Sequence, residues 1–229
     1  MRANTRKSDR QPVFFVPGVI TILLCVLAGV HVLRVFLAPG YDRFAVTMLG
    51  ILPARYMPEV ISAFPGGVWS AIPPFLTYAF LHAGFAHLAV NSAWLLAFGS
   101  AVARRLGAAR FLIFYMVCAV LAALVHIAVG WGSLTPMVGA SGAISGMMAA
   151  AFRIALLDIM EGPALSSTPR LLPLTDRRFL ILSGSWAFVN IVFGITGIRV
   201  SEQVLMIAWD AHLAGFAAGA LLIGLFVRK

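Results

Sequence analysis

Charge is what this sequence has least of. Asp, Glu, Lys and Arg make up only 11% of its 229 residues, against roughly a quarter in a soluble domain. Acidic residues are scarcest, 8 against 17 basic ones, for a formal net charge of +9. Cysteine is nearly absent: Cys25 and Cys118 each lie inside an apolar run. That excludes a disulfide framework and a cysteine-based metal site, and it leaves the redox compartment unspecified. There is no stretch of soluble-domain composition and no internal repeat. The missing repeat, with the missing polar path, argues against a transporter.

What fills the chain instead is apolar. Hydrophobic residues are 61% of the total and the mean hydropathy is +0.97. Long apolar runs make the chain an all-α membrane protein, a single bundle of helices with the lipid bilayer as its surroundings. The positive charge does not indicate a nucleic-acid partner, because the basic residues cluster at the ends of apolar runs, where they act as topology signals.

Six spans are expected, at 13–37, 75–100, 111–129, 141–157, 179–195 and a last one ending at Val227. Residues 1–12 form a polar, basic tail, 13–227 the membrane domain and 228–229 a short C-terminal tail. The first run is too long for a signal-peptide core and lacks a clear cleavage site, so it reads as a retained span. Residues 38–74 are mixed, with several Pro and Gly and interspersed aromatics; an interfacial segment and a plain loop fit equally. Six spans put both termini on one side, and that side carries 13 of the 17 basic residues, leaving Arg34, Arg43, Arg55 and Arg199 on the other. The positive-inside rule then makes both termini cytoplasmic, in what is expected to be a bacterial inner membrane.

The fourth span is short. From Ser141 to Leu157 an α-helix rises about 25 Å, less than the roughly 30 Å hydrocarbon core. Ser141 is therefore expected to be buried below the outer surface, beside a water-filled pocket that tolerates the irregular backbone before it. It stands in Gly139-Ala140-Ser141-Gly142 at a helix start, where free N–H groups and the helix dipole favour an anion. A serine there becomes a nucleophile once a base reaches it. His212 is the candidate base. Gly215 and Gly219 follow it at i+3 and i+7 on one face, and with Gly142 and Gly146 they give two small-residue ridges able to pack closely. Asp210 is two residues away and points to another side of the helix, so a Ser–His dyad fits better than a triad. His87 and Asn91 are i,i+4 and can donate to an oxyanion together with the Ser141 N–H; helix–helix hydrogen bonding is the bland reading of both. His82 lies off that face and is expected to pin the preceding loop. No metal site is expected, since no carboxylate or cysteine shares a face with these histidines. His31 and His126 have no companions and read as structural.

With His82-x4-His87-x3-Asn91 in the second span, Gly139-Ala140-Ser141-Gly142 opening the fourth and Ala211-His212-x2-Gly215-x3-Gly219 in the sixth, the chain resembles the rhomboid intramembrane serine proteases across all six spans. The resemblance implies a six-transmembrane-helix bundle, Ser141 as nucleophile, His212 as base, His87 and Asn91 as oxyanion donors, transmembrane proteins as substrates, and no cofactor. A catalytically inactive rhomboid-like binding or scaffold protein would share the fold but should lack the serine or the histidine. Two positions depart from the family pattern. Ile72-Pro73-Pro74 stands where a Trp-Arg pair often anchors the first outer loop. Ser145 stands where an aromatic often stacks on the histidine, so another group must orient His212. Trp186, Phe188 and Phe193 make the fifth span bulky; this span and the loop 197–203 are expected to open as a substrate gate.

Overall fold

The computed structural model describes residues 16–161, 170–200, 203–205 and 207–227, without the side chains of 155–161, 198–200 and 203–205. The expected tails at 1–12 and 228–229, residues 13–15 of the expected first span, residues 162–169 and residues 201–202 of the expected loop lie outside the described residues.

In chain order the helices are α1 (Gly18–Val35), a shorter α2 (Pro39–Leu49), α3 (Phe85–Leu106), α4 (Ala108–Val129), α5 (Ser141–Glu161), α6 (Arg177–Thr196) and α7 (Trp209–Phe226). Five of them, α1, α3, α4, α6 and α7, are long and apolar enough to cross a membrane. α4, α5 and α7 all pack against one another. The chain is thus a helical membrane bundle, with one small hairpin: β1 (Ile198–Val200) pairs antiparallel with β2 (Gln203–Leu205), Ile198 opposite Leu205. The expected loop at 197–203 is therefore a hairpin where it is described, and its β-branched Ile198, Val200 and Val204 suit extended backbone.

Several boundaries move from their expected places. α1 begins at Gly18 because Pro17 is extended (φ −58°, ψ 139°), and proline keeps the residue before it out of the helical region. The second span begins at Phe85 rather than 75. Residues 75–84 form a helical turn at Pro74–Thr77, a 3₁₀ turn at Tyr78–Phe80 and an extended stretch through Leu81 and Gly84. Apolar composition runs through this break without registering it. α3 then continues past Ser100, through a π-helical stretch at Leu95–Gly99, to Leu106. Gly107, at φ +75°, ends α3 and starts α4, a left-handed conformation that glycine adopts at little cost. α5 extends to Glu161 rather than Leu157. Its added turn carries Asp158 and Glu161, so the apolar length stays short of the hydrocarbon core.

A buried cation ties the segment 38–74 together at its centre. Arg55 is fully buried and donates through Nη1 to the Met48 carbonyl at 2.9 Å and the Ser70 carbonyl at 3.3 Å, and through Nη2 to the Thr47 carbonyl. Its guanidinium lies 4.5 Å from the centre of the Phe64 ring. Arg55 thus caps the C-terminal end of α2, where a cation meets the negative end of the helix dipole, and ties it to the turns around residues 64–70. Next to it Tyr56 donates to the Ala71 carbonyl at 3.1 Å. Burial pushes the Tyr56 phenol up to about 12. The loop is anchored by Arg55 rather than by a Trp-Arg pair.

Packing is tightest where the sequence is smallest. A Cβ on Gly215 would overlap the Gly142 carbonyl, one on Gly219 the Gly146 carbonyl, and one on Gly146 the Cys118 side chain. α5 and α7 therefore meet backbone to backbone, the association that small residues permit in lipid, while α4 packs the Cys118 and Ala122 side chains against the α5 glycines. α6 is held differently. Only 17% of its apolar window is buried, against 44% for α7. Its contacts with α7 include buried Phe179, stacked on Phe216 at 6.4 Å between ring centres, and a stripe at i, i+4 and i+8: Trp186 stacked on Phe216 at 4.4 Å, Asn190 hydrogen-bonded to Trp209 and His212, and Gly194 against the Trp209 side chain.

Candidate active site

The backbone leading into α5 is fixed from two sides. Ile51 and Met137 exchange hydrogen bonds, N–H to carbonyl, at 3.0 and 2.8 Å, an isolated antiparallel bridge between the first loop and the strand before Ser141. Two residues on, the Gly139 N–H donates to the Tyr78 carbonyl at 3.0 Å. Tyr78 is itself buried, its hydroxyl donating to the Ala119 carbonyl at 2.8 Å. Gly139 has φ +129°, and a Cβ there would come within 2.8 Å of the His87 ring. Both facts require glycine. The chain then turns into α5 with Ser141 as its first residue.

Ser141 meets His212 there. His212 Nε2 lies 2.7 Å from Ser141 Oγ, although the two residues are on different helices. Ser141 and His212 are both half-buried within the bundle. The other ring nitrogen, His212 Nδ1, lies 2.8 Å from Asn190 Oδ1, and Asn190 Nδ2 donates to the Trp209 carbonyl at 3.0 Å. Asn190 was not among the residues singled out by sequence. A lone asparagine in an apolar helix has no spacing that links it to the other motifs; its only signal was being polar inside a span.

The two residues whose sequence positions invite an orienting role are engaged elsewhere. Asp210 Oδ2 lies 2.8 Å from His126 Nδ1; it serves α4 rather than His212, and His126 has a companion after all. Ser145 Oγ donates back to the Ser141 carbonyl at 2.8 Å, so it makes no contact in place of the missing aromatic ring.

On the α3 side, His87 sits with its ring against Gly139 and accepts from the Ala83 N–H at 3.4 Å through Nδ1. Asn91 is buried and donates to the His87 carbonyl at 2.9 Å, which occupies one of its two amide hydrogens. His82 is buried edge-to-face with His87, 5.2 Å between ring centres. Its ring nitrogens have no protein partner among the described residues. The pinning expected of His82 runs through its carbonyl, which accepts from Arg34 Nη1 at 2.7 Å, while Arg34 is paired with Asp42 at 2.8 Å. His31 is buried against Phe85, 4.7 Å between ring centres. Of the expected gate residues, Trp186 packs on α7, whereas Phe188 and Phe193 are 68% and 44% exposed on the outside of the bundle.

No individual curated protein matches the chain. A family model described as the Rhomboid domain matches residues 65–229. That match begins before Tyr78 and runs through α3 to α7, the part of the chain that brings Ser141, His212, His87 and Asn91 together. Because it covers most of the sequence, the chain belongs to the rhomboid family.

Proposed function

We propose that this rhomboid-family member is an intramembrane serine endopeptidase working through a Ser141–His212 dyad. The observation that carries the reading is the 2.7 Å approach of His212 Nε2 to Ser141 Oγ, hydrogen-bond range for a nucleophile and its base. Nε2 takes the Ser141 hydroxyl proton as Oγ attacks a substrate carbonyl carbon. The carbonyl oxygen becomes an oxyanion, held by the Ser141 N–H, by His87 and by the amide hydrogen that Asn91 does not spend on the His87 carbonyl. Collapse of the tetrahedral intermediate breaks the C–N bond, and His212 returns the proton to the leaving amine. Water, deprotonated by His212, then attacks the acyl-enzyme and restores Ser141.

A membrane location suits a substrate that is itself a membrane helix. Such a helix satisfies its own backbone hydrogen bonds, so it must unwind locally before attack, and residues such as Gly, Ser or Pro near the cleavage site lower that cost. Ala would not. In this reading residues 13–227 form one catalytic membrane domain with cytoplasmic termini, and the Ser141 end of α5 opens to the outer side. The purified chain should cleave a model transmembrane substrate, and Ser141→Ala should abolish turnover while the fold is kept. Undiminished cleavage by Ser141→Ala, free of host proteases, would reject the nucleophile; absence of cleavage by every preparation would favour a binding or scaffold role.

A further inference from the structure

A serine–histidine dyad works only in one tautomer. Nε2 must be unprotonated to receive the hydroxyl proton, so the ring's proton must sit on Nδ1. Nothing in the dyad itself imposes this, because a serine hydroxyl both donates and accepts. The aromatic neighbour often found in the family is replaced by Ser145, and Ser145 and Asp210 are committed to the Ser141 carbonyl and to His126.

Asn190 supplies what is missing, through a chain of forced choices. It is buried, 8% exposed. One end of its amide faces the Trp209 main-chain carbonyl at 3.0 Å. A carbonyl only accepts, so that end must be the NH₂ group. The other end, facing His212 Nδ1 at 2.8 Å, must then be the carbonyl oxygen, which also only accepts. His212 Nδ1 must therefore carry hydrogen, and in the neutral ring Nε2 is left bare, 2.7 Å from Ser141 Oγ. We infer that Asn190 is the positioning residue that selects the Nδ1–H tautomer of His212, with the Trp209 carbonyl fixing the amide's orientation. Asn190 belongs to α6 and His212 to α7, so the selection also depends on α6 being docked. The catalytic part of this inference rests on the protease reading above; the tautomer part does not.

The test uses the full chain in detergent, labelled with ¹⁵N-histidine and read by NMR, with the His212 signals assigned by comparison with His212→Gln. Wild type should show a protonated Nδ1 and an unprotonated Nε2 on His212. A folded Asn190→Leu should lose that preference and lower kcat by about ten- to a hundredfold with KM little changed, and modification of Ser141 by a fluorophosphonate should slow by a similar factor. Asn190→Asp keeps an acceptor for Nδ1–H and should retain the tautomer where Leu does not. A wild-type His212 protonated on Nε2 would overturn the inference, and that measurement needs no variant to fold. So would an Asn190→Leu chain with unchanged tautomer and unchanged kcat. A wild type with the stated tautomer that neither cleaves nor reacts at Ser141 would support the assignment while rejecting the protease.

Discussion

At the scale of single residues, contributions divide by whether a side chain bonds or merely fits. Asn91 bonds: it keeps one amide hydrogen on the His87 carbonyl and has one left for an oxyanion. Asn91→Ala should lower kcat by roughly 10² to 10³, the usual loss for one oxyanion donor, with little change in KM; steady-state kinetics on a transmembrane substrate decide it, and a change confined to KM would count against the role. Gly215 fits. Its added Cβ would overlap the Gly142 carbonyl oxygen, backbone that cannot rotate away. Gly215→Ala should therefore force α5 and α7 apart and cost about 1–3 kcal/mol, read as a lowered thermal midpoint in detergent, and it should disturb the Ser141–His212 distance. Much of this was legible in the sequence. Glycines at i+3 and i+7 from a histidine announce a close face, and Gly-x-Ser-Gly at a helix start announces exposed N–H groups. Asn190 was not legible, because its partner is 22 residues away on another helix and the contact depends on how α6 and α7 are rotated. The His126–Asp210 pair was hidden for the same reason.

Among elements, α6 stands apart. α5 and α7 are joined backbone to backbone, with small side chains of α4 against them, whereas α6 docks by Phe179 and the stripe Trp186, Asn190 and Gly194 and is mostly unburied. In the proposed reaction this looser docking suits α6 to move for an incoming substrate helix. The structure separates the expected gate residues into two kinds. Trp186 stacks on Phe216, so Trp186→Ala should weaken docking, lower thermal stability and, where opening limits the rate, raise cleavage of transmembrane substrates. Phe188, 68% exposed, should do little when trimmed; a change of more than about 0.5 kcal/mol would be unusual for so exposed a residue. Equal effects from both would contradict docking by this stripe. Joining α3 to α6 through paired cysteines should suppress cleavage, with recovery on reduction, whereas full activity in a verified cross-linked sample would exclude access between these helices. A displaced α6 would carry Asn190 away from His212, so admission of a substrate past α6 and orientation of the base would call for opposite positions of one helix.

For the whole molecule, periodicity and charge give the number and order of the long helices but not where each one starts. Hydropathy cannot distinguish the turns at 75–84 from a helix, since the difference lies in backbone angles around Leu81 and Gly84 rather than in composition. Nor does it show that a buried arginine, Arg55, ties the end of α2 to the turn at Ser70. Orientation rests on the distribution of basic residues. In intact cells, with Cys25 and Cys118 replaced, an impermeant thiol reagent should label Ser201→Cys and not Arg105→Cys. The reverse pattern would put the Ser141 end of α5 on the cytoplasmic side.

The central claim is that His212 activates Ser141. The most direct test is reaction of the purified wild-type chain with a fluorophosphonate, with the modified residue located by mass spectrometry. The account predicts a single adduct on Ser141, and a rate at least about 10²-fold lower in folded His212→Ala, the low end of what a general base contributes. An adduct on another residue, or equal rates at Ser141 with and without His212, would contradict it.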